Sequence, residues 1–323
     1  MTRIGLHITD FNRPGVDSST VFPFVLELAT AADRSGFDTV TVMDHFYQLP
    51  FIGPPENYML ECYTTLAAIA QHTNTVRLGA LVTGNTYRNP AFLAKCVTTL
   101  DVVSGGRARL GIGAGWYELE HDAYGYEFGT FTDRFAKLEE ALQIIVPMLR
   151  GEHPTFSGAH YSASGAMNEP APIGRIPVLI GGSGERKTLR MVAQYADEGN
   201  FTCPLTDVPH KLEVLDEHCA RLGRDRSTIT MSKMVQVAIA PTADAAFADV
   251  QATLGRRGLT VSKPEDIDAL PLDIAWGGPD EVSEWLERVR AAGLDGVTCS
   301  MPGELADAER VELLGRAASA VFG

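Results

Sequence analysis

Eight short runs rich in β-branched and other apolar residues recur along the chain, separated by longer stretches whose apolar residues return every three or four positions. The runs are Arg3–Ile8, Asp38–Met43, Val76–Val82, Arg107–Ile112, Pro177–Ile180, Gly199–Cys203, Thr230–Ala238 and Gly296–Ser300. Strands that alternate with helices predict a parallel sheet, because parallel neighbours need a long crossover and a helix supplies it. Eight repeats fit a closed (β/α)8 barrel, the TIM barrel, and an open doubly wound sheet is the alternative that periodicity leaves standing.

The intervening stretches carry helix punctuation. From Asp133 to Arg150, residues Phe135, Leu138, Leu142, Ile145, Val146 and Leu149 share one helical face, with Thr132 or Asp133 as cap, Pro147 bending the last turn and Gly151 ending it. Gly36, Gly105-Gly106 and Gly293 each close a helix ahead of a strand. Two segments, 154–177 and 258–278, break the pattern and read as irregular insertions into a single domain spanning 1–323.

Apolar residues make up 45% of the chain, ample for one core, and the formal net charge is -14. So acidic a chain repels nucleic acid and anionic membrane surfaces, which removes both as partners. No apolar run approaches the roughly 20 residues that span a bilayer, and the first residues read as a strand rather than a signal peptide. The five cysteines are odd in number and none are spaced C-x-x-C, which argues against a disulfide framework or zinc site and for a reducing cytoplasm.

In such a barrel the loops after the strand C-termini build the site. After the second run stand Asp44 and His45, a carboxylate able to hydrogen-bond a heterocycle and an imidazole able to move protons near neutrality. The competing reading is a helix cap beside a satisfied structural histidine. The third run leads into Leu81-Val82-Thr83-Gly84 and then Pro90, which suits a first helical turn. After the fourth come Gly113-Ala114-Gly115-Trp116, where glycines let a flat ligand approach and the indole offers a stacking face. After the fifth come Gly181-Gly182-Ser183-Gly184 at the start of a helix, a turn suited to phosphate, or simply a tight turn. His7, Asp44, His45, His121 and Asp122 lack the spacing of a metal motif, so no metal is expected.

Taken together, Thr41–Phe46, Leu78–Gly84, Arg88-Asn89-Pro90, Leu110–Trp116 and Leu179–Gly184, with Ala196-Asp197 and Gly278–Val282, resemble the luciferase-like monooxygenase superfamily, and within it the F420-dependent oxidoreductases. The resemblance implies a barrel with a deazaflavin or flavin across its C-terminal mouth. Asp44 and His45 would then lie at the redox ring, His45 moving a proton. Leu81-Val82, a bulge that often holds a non-prolyl cis bond in the family, would press on the back of the ring with Thr83 beside it, and Gly181 to Gly184 would hold the phosphate. Where sugar-phosphate dehydrogenases of this branch carry a glutamate acid after the fourth-strand glycines, this chain has Trp116, and Glu118 is not taken as its replacement.

The leading expectation is hydride transfer between coenzyme F420 and a small, fairly apolar organic substrate. The alternatives are an FMNH2-dependent monooxygenase fed by a partner reductase, and a coenzyme-binding protein without turnover. Loops 10–19, 45–58 and 116–130 should wall the substrate pocket with Phe46, Tyr47, Phe51, Tyr117 and Tyr124, unless these aromatics pack between loops. A homodimer is expected from the family alone.

Overall fold

A computed structural model of the chain describes residues 3–270 and 273–322. Eight parallel strands close into a barrel: β1 Arg3–Ile8, β2 Thr39–Val42, β3 Arg77–Ala80, β4 Leu110–Gly113, β5 Val178–Gly181, β6 Glu198–Phe201, β7 Thr230–Ile239 and β8 Gly296–Ser300. Neighbours in sequence are neighbours in space, and β8 returns to pair with β1 in register Gly5 to Thr298. Closure between β3 and β4 runs through a bridge of Leu78 with Ala108, where Leu78 N–H donates to Arg107 O and Arg109 N–H to Leu78 O. The open sheet is thereby excluded.

The strands sort their side chains by polarity. On β1, Ile4, Leu6 and Ile8 point outward under the helices, and burying such side chains contributes about 1.5–3 kcal/mol each. Inward the barrel is small and polar: Thr39, Thr41, Asn200, Thr298 and Ser300 are all buried there with His7. The main apolar core therefore lies between strands and helices, leaving the barrel axis free for hydrogen-bonding groups.

The expected helix at Asp133–Arg150 begins and ends two residues earlier, at Phe131–Met148. Neither Thr132 nor Asp133 caps it. Thr130 does, accepting from Asp133 N–H while the Asp133 carboxylate takes the Thr130 N–H, a reciprocal pair that satisfies two end donors. Pro147 lies in its last turn and Gly151 follows at φ 79°.

The segment 154–177 carries a two-stranded antiparallel hairpin, Phe156–Ser157 against Ser162–Ala163. The segment 258–278 is less irregular than its sequence suggests. It holds a helix, Pro264–Asp268, and a strand, Ile274–Gly277, that pairs parallel with the far end of β7, while Pro271 and Leu272 lie outside the described residues. β7 is ten residues long, so its first half belongs to the barrel and its last four residues pair with this added strand. A small satellite core of Ala238, Val250, Leu254, Val261 and Ile267 packs beneath it.

Candidate active site

At the C-terminal ends of the strands opens a cavity of about 440 Å³. That volume lies within the roughly 300–1,000 Å³ usual for cofactor and small-molecule pockets. One side is largely apolar, with Met43, Leu49, Phe51, Ile52, Leu81, Val82 and Trp116. The other, from β1, β6, β7 and β8, presents neutral polar groups, among them His7, Asn200, Gln236 and Ser300. No lysine or arginine lines it among the described residues. An adjoining depression that shares Ile52 holds Arg13, Arg256 and Arg257, of which the first two pair with Glu27 and Glu304.

His45 lies on the cavity wall. Its Nδ1 lies 2.7 Å from Glu120 Oε2, and its ring meets Trp116 and Tyr117 edge-on, with centroids 5.7 and 5.9 Å away. Glu120 is fully buried and was not read from the sequence as a site residue. Besides His45 it accepts from the backbone N–H of Phe46, from Tyr47 N–H at 2.9 Å and from Tyr87 O–H at 2.7 Å. Burial works against its charge, yet the donors led by His45 outweigh it and hold the carboxyl below its ordinary range. Tyr87 is moved the opposite way, its phenol raised by burial and by the Glu120 carboxylate.

Asp44 also reaches the cavity wall, but its oxygens are not held open for a heterocycle. Arg88 grips both, at 2.7 and 2.9 Å, and Gly84 N–H donates to Oδ2 at 3.0 Å. The guanidinium lies over the Tyr63 ring and also reaches Glu61. This is a bidentate clamp joining the loop after β2 to the segment after β3.

The Leu81–Val82 peptide is cis, and Leu81, Val82 and Thr83 all line the cavity. Thr83 is buried, with its hydroxyl 2.7 Å from Tyr63 Oη. Of the fourth-strand run, Gly115 and Trp116 line the cavity, whereas Gly113 and Ala114 are not among its lining residues. The bare Cα of Gly113 makes room for protein rather than ligand: a Cβ there would stand 2.9 Å from Val82 Cγ2. Gly181 lines the cavity beside the same side chain, with its own added Cβ 2.9 Å from Val82 Cγ1.

Gly182 also lines the cavity, while Ser183 and Gly184 form the turn that leads to the helix Thr188–Tyr195. Ser183 Oγ accepts the N–H groups of Thr202 at 3.0 Å and Cys203 at 3.1 Å, which ties the β5 turn to the end of β6. Its hydroxyl also stands 3.5 Å from Thr202 Oγ1, a contact in which either group can donate.

Among the expected aromatics, Phe51 stacks near Trp116 at 6.4 Å and lines the cavity. Phe46, Tyr47, Tyr117 and Tyr124 do not. Phe46 packs on Tyr87 and Tyr124 between loops, and Tyr117 lies behind Trp116 at 5.2 Å. His121 is a satisfied structural group: Nδ1–H donates to Tyr117 O, and Nε2 takes the Thr86 hydroxyl at 2.7 Å. His7 is buried on the polar side, its Nδ1 at 2.9 Å from Thr41 Oγ1, and burial lowers its pKa to about 4. Among the described residues no group of three or more His, Cys, Asp or Glu is arranged to hold a metal ion, and all five cysteines are unpaired.

A parallel barrel with a cofactor-sized cavity at its strand C-termini, and a carboxylate-held imidazole in that cavity's wall, belongs to the large class of (β/α)8 enzymes. Within that class the chain belongs to the luciferase-like monooxygenase family, whose model matches residues 2–296. It is 28% identical over 308 residues to an F420-dependent glucose-6-phosphate dehydrogenase of Nocardia farcinica, covering 86% of this chain and 88% of that one. In structure it is similar to an F420-dependent secondary alcohol dehydrogenase solved with an F420-acetone adduct, with TM-score 0.80, 19% identity and 99% of both chains covered. It is also similar to a monooxygenase from Streptomyces bottropensis, with TM-score 0.82, 18% identity and 99% of this chain and 100% of that one covered. No helix among the described residues is long and apolar enough to cross a membrane.

Proposed function

We propose that the protein is a coenzyme F420-dependent oxidoreductase that interconverts an uncharged, largely apolar alcohol and its carbonyl compound. The observation that carries this reading is His45, held through Nδ1 by Glu120 on the wall of a cavity that no lysine or arginine lines among the described residues. The F420-dependent dehydrogenases among its relatives support the coenzyme.

The residues present fit such a coenzyme. Leu81, Val82 and Thr83 offer a mostly apolar wall for one face of a flat ring, and Trp116 borders the mouth. The phosphate of its tail would be held at the turn Gly181–Gly184, where Ser183 offers a hydroxyl and a helix N-terminus follows. When bound, F420 supplies a carbon that takes up or gives back a hydride and disfavours oxygen activation.

The chain's own groups do the remainder. In the oxidative direction His45 Nε2, the ring nitrogen not bonded to Glu120, would take the substrate's hydroxyl proton. In reduction the same atom returns the proton. The cavity's walls hold the reacting carbons together and exclude water. The aromatic pair Phe51 and Trp116, each about half exposed at 54% and 52%, would cover the apolar body of the substrate. A sugar phosphate would find no cation in this wall to meet its charge.

Titration of the purified protein with F420 and with FMN tests the coenzyme. Tighter binding of F420, with turnover of secondary alcohols and none of glucose 6-phosphate, is the expected result. Tighter binding of FMN, with oxygen consumption when FMNH2 is supplied, would make the protein a monooxygenase instead. Binding without turnover across a broad panel of alcohols and ketones, unaltered by His45→Ala, would leave only a carrier.

A further inference from the structure

We propose that Glu120 is the positioning residue of this site: it fixes the His45 imidazole with its proton on Nδ1, so that Nε2 is the atom offered to a ligand, and with the same carboxylate it anchors the backbone of the loop that carries the imidazole.

The argument rests on donor counting. An ionised carboxylate only accepts, at about four lone-pair positions. Glu120 meets four groups: His45 Nδ1, the N–H of Phe46, the N–H of Tyr47 and the O–H of Tyr87. The two backbone groups can only donate, and the four together fill the carboxylate. A carboxylate so placed has no proton to offer His45, so the bond runs from Nδ1–H to oxygen. His45 and Glu120 are 75 residues apart, which makes the contact a product of the fold and not of local turn geometry. The Trp116 and Tyr117 rings flank the imidazole at 70° to its plane and crowd the space it would need to turn over. Three of the four donors come from consecutive residues, His45, Phe46 and Tyr47, so one side chain sets both the protonation pattern of the imidazole and the path of its backbone.

The test has two arms. The first uses the coenzyme-free protein with 15N-labelled histidine, at alkaline pH, where imidazole nitrogen shifts separate the two tautomers. In the wild type His45 should carry its proton on Nδ1, and in Glu120→Gln that preference should be lost. A wild-type proton on Nε2, or an unchanged Nδ1–H form in a folded Glu120→Gln, overturns the proposal. Because the wild-type spectrum suffices for the first of these, a variant that fails to fold does not shelter it.

The second arm is kinetic and alone rests on the F420 reading. Glu120→Gln and His45→Gln should each lower kcat by about 10²–10⁴-fold with the coenzyme Kd changed less than about threefold. Because both act through one proton, the double variant should be no slower than the slower single one. Effects that multiply would show Glu120 acting elsewhere and overturn the proposal. Loss of F420 binding in the wild type would instead remove the functional reading and leave the tautomer arm intact.

Discussion

Two buried carboxylates stand at the same barrel mouth and do different work. Asp44 is met by a guanidinium in a bidentate clamp, Glu120 by an imidazole and three neutral donors. Arginine stays protonated throughout the working range, so the Asp44 clamp cannot exchange a proton and serves only to hold two segments together. Histidine can give and take one, so the Glu120 cluster can turn the same kind of charge into chemistry. The residue type opposite each carboxylate, and not the carboxylate itself, sets whether the pair is able to exchange a proton.

The difference can be tested by breaking each side. The largest effect on stability should come from Arg88→Met, which leaves the Asp44 charge buried and without its cation. Such a change costs about 3–5 kcal/mol, read by urea unfolding. A loss below about 1 kcal/mol would mean that water replaces the guanidinium and that the clamp is not structural.

His7, on the polar side of the same cavity, should give the next largest effect, and one that depends on pH. Its pKa in the folded chain, about 4, lies below the ordinary 6.5, chiefly through burial. Between those values the unfolded chain binds the proton and the folded chain does not. The contribution to stability is therefore complete above pH 6.5 and is lost as pH falls toward 4, amounting to roughly 3 kcal/mol. His7→Gln should flatten unfolding free energy against pH in that window, and an unchanged slope would show that other groups set it.

Tyr87→Phe should have the smallest effect. It removes one of the four donors to Glu120 and leaves His45 in place, costing about 1.5 kcal/mol of stability and less than about tenfold in kcat. A loss of rate as large as that of His45→Gln would place Tyr87 among the proton-carrying groups and blur the contrast drawn above.

Much of the barrel was legible because its strands are short apolar runs set between amphipathic stretches. All eight runs became strands, with ends displaced by up to three residues, as at Arg107–Ile112, where the strand begins only at Leu110. The strand Ile274–Gly277, as long as several barrel strands, was missed because it lies outside the eightfold repeat and its partner is the extension of β7 beyond the barrel. Of the site, the residues next to strand ends were legible, since position after a barrel strand is itself the signal. Glu120 was not. It sits in Glu118-Leu119-Glu120-His121-Asp122, a charge-rich stretch that reads as a solvated helix face, and only the contact with a loop some 75 residues away shows one of those acids to be buried. The place of Asp44 at the mouth was legible, but its contact with Arg88 was not, because Arg88 reaches it across 44 residues.

The Val82 side chain has a wider consequence. It is gripped by the bare backbones of Gly113 and Gly181, on two different strands. These three positions behave as one lock: alanine at either glycine collides unless residue 82 is first made smaller. Attempts to remodel this end of the barrel for other substrates should therefore vary the three together, or redirect effort to Phe51 and Trp116, which are about half exposed.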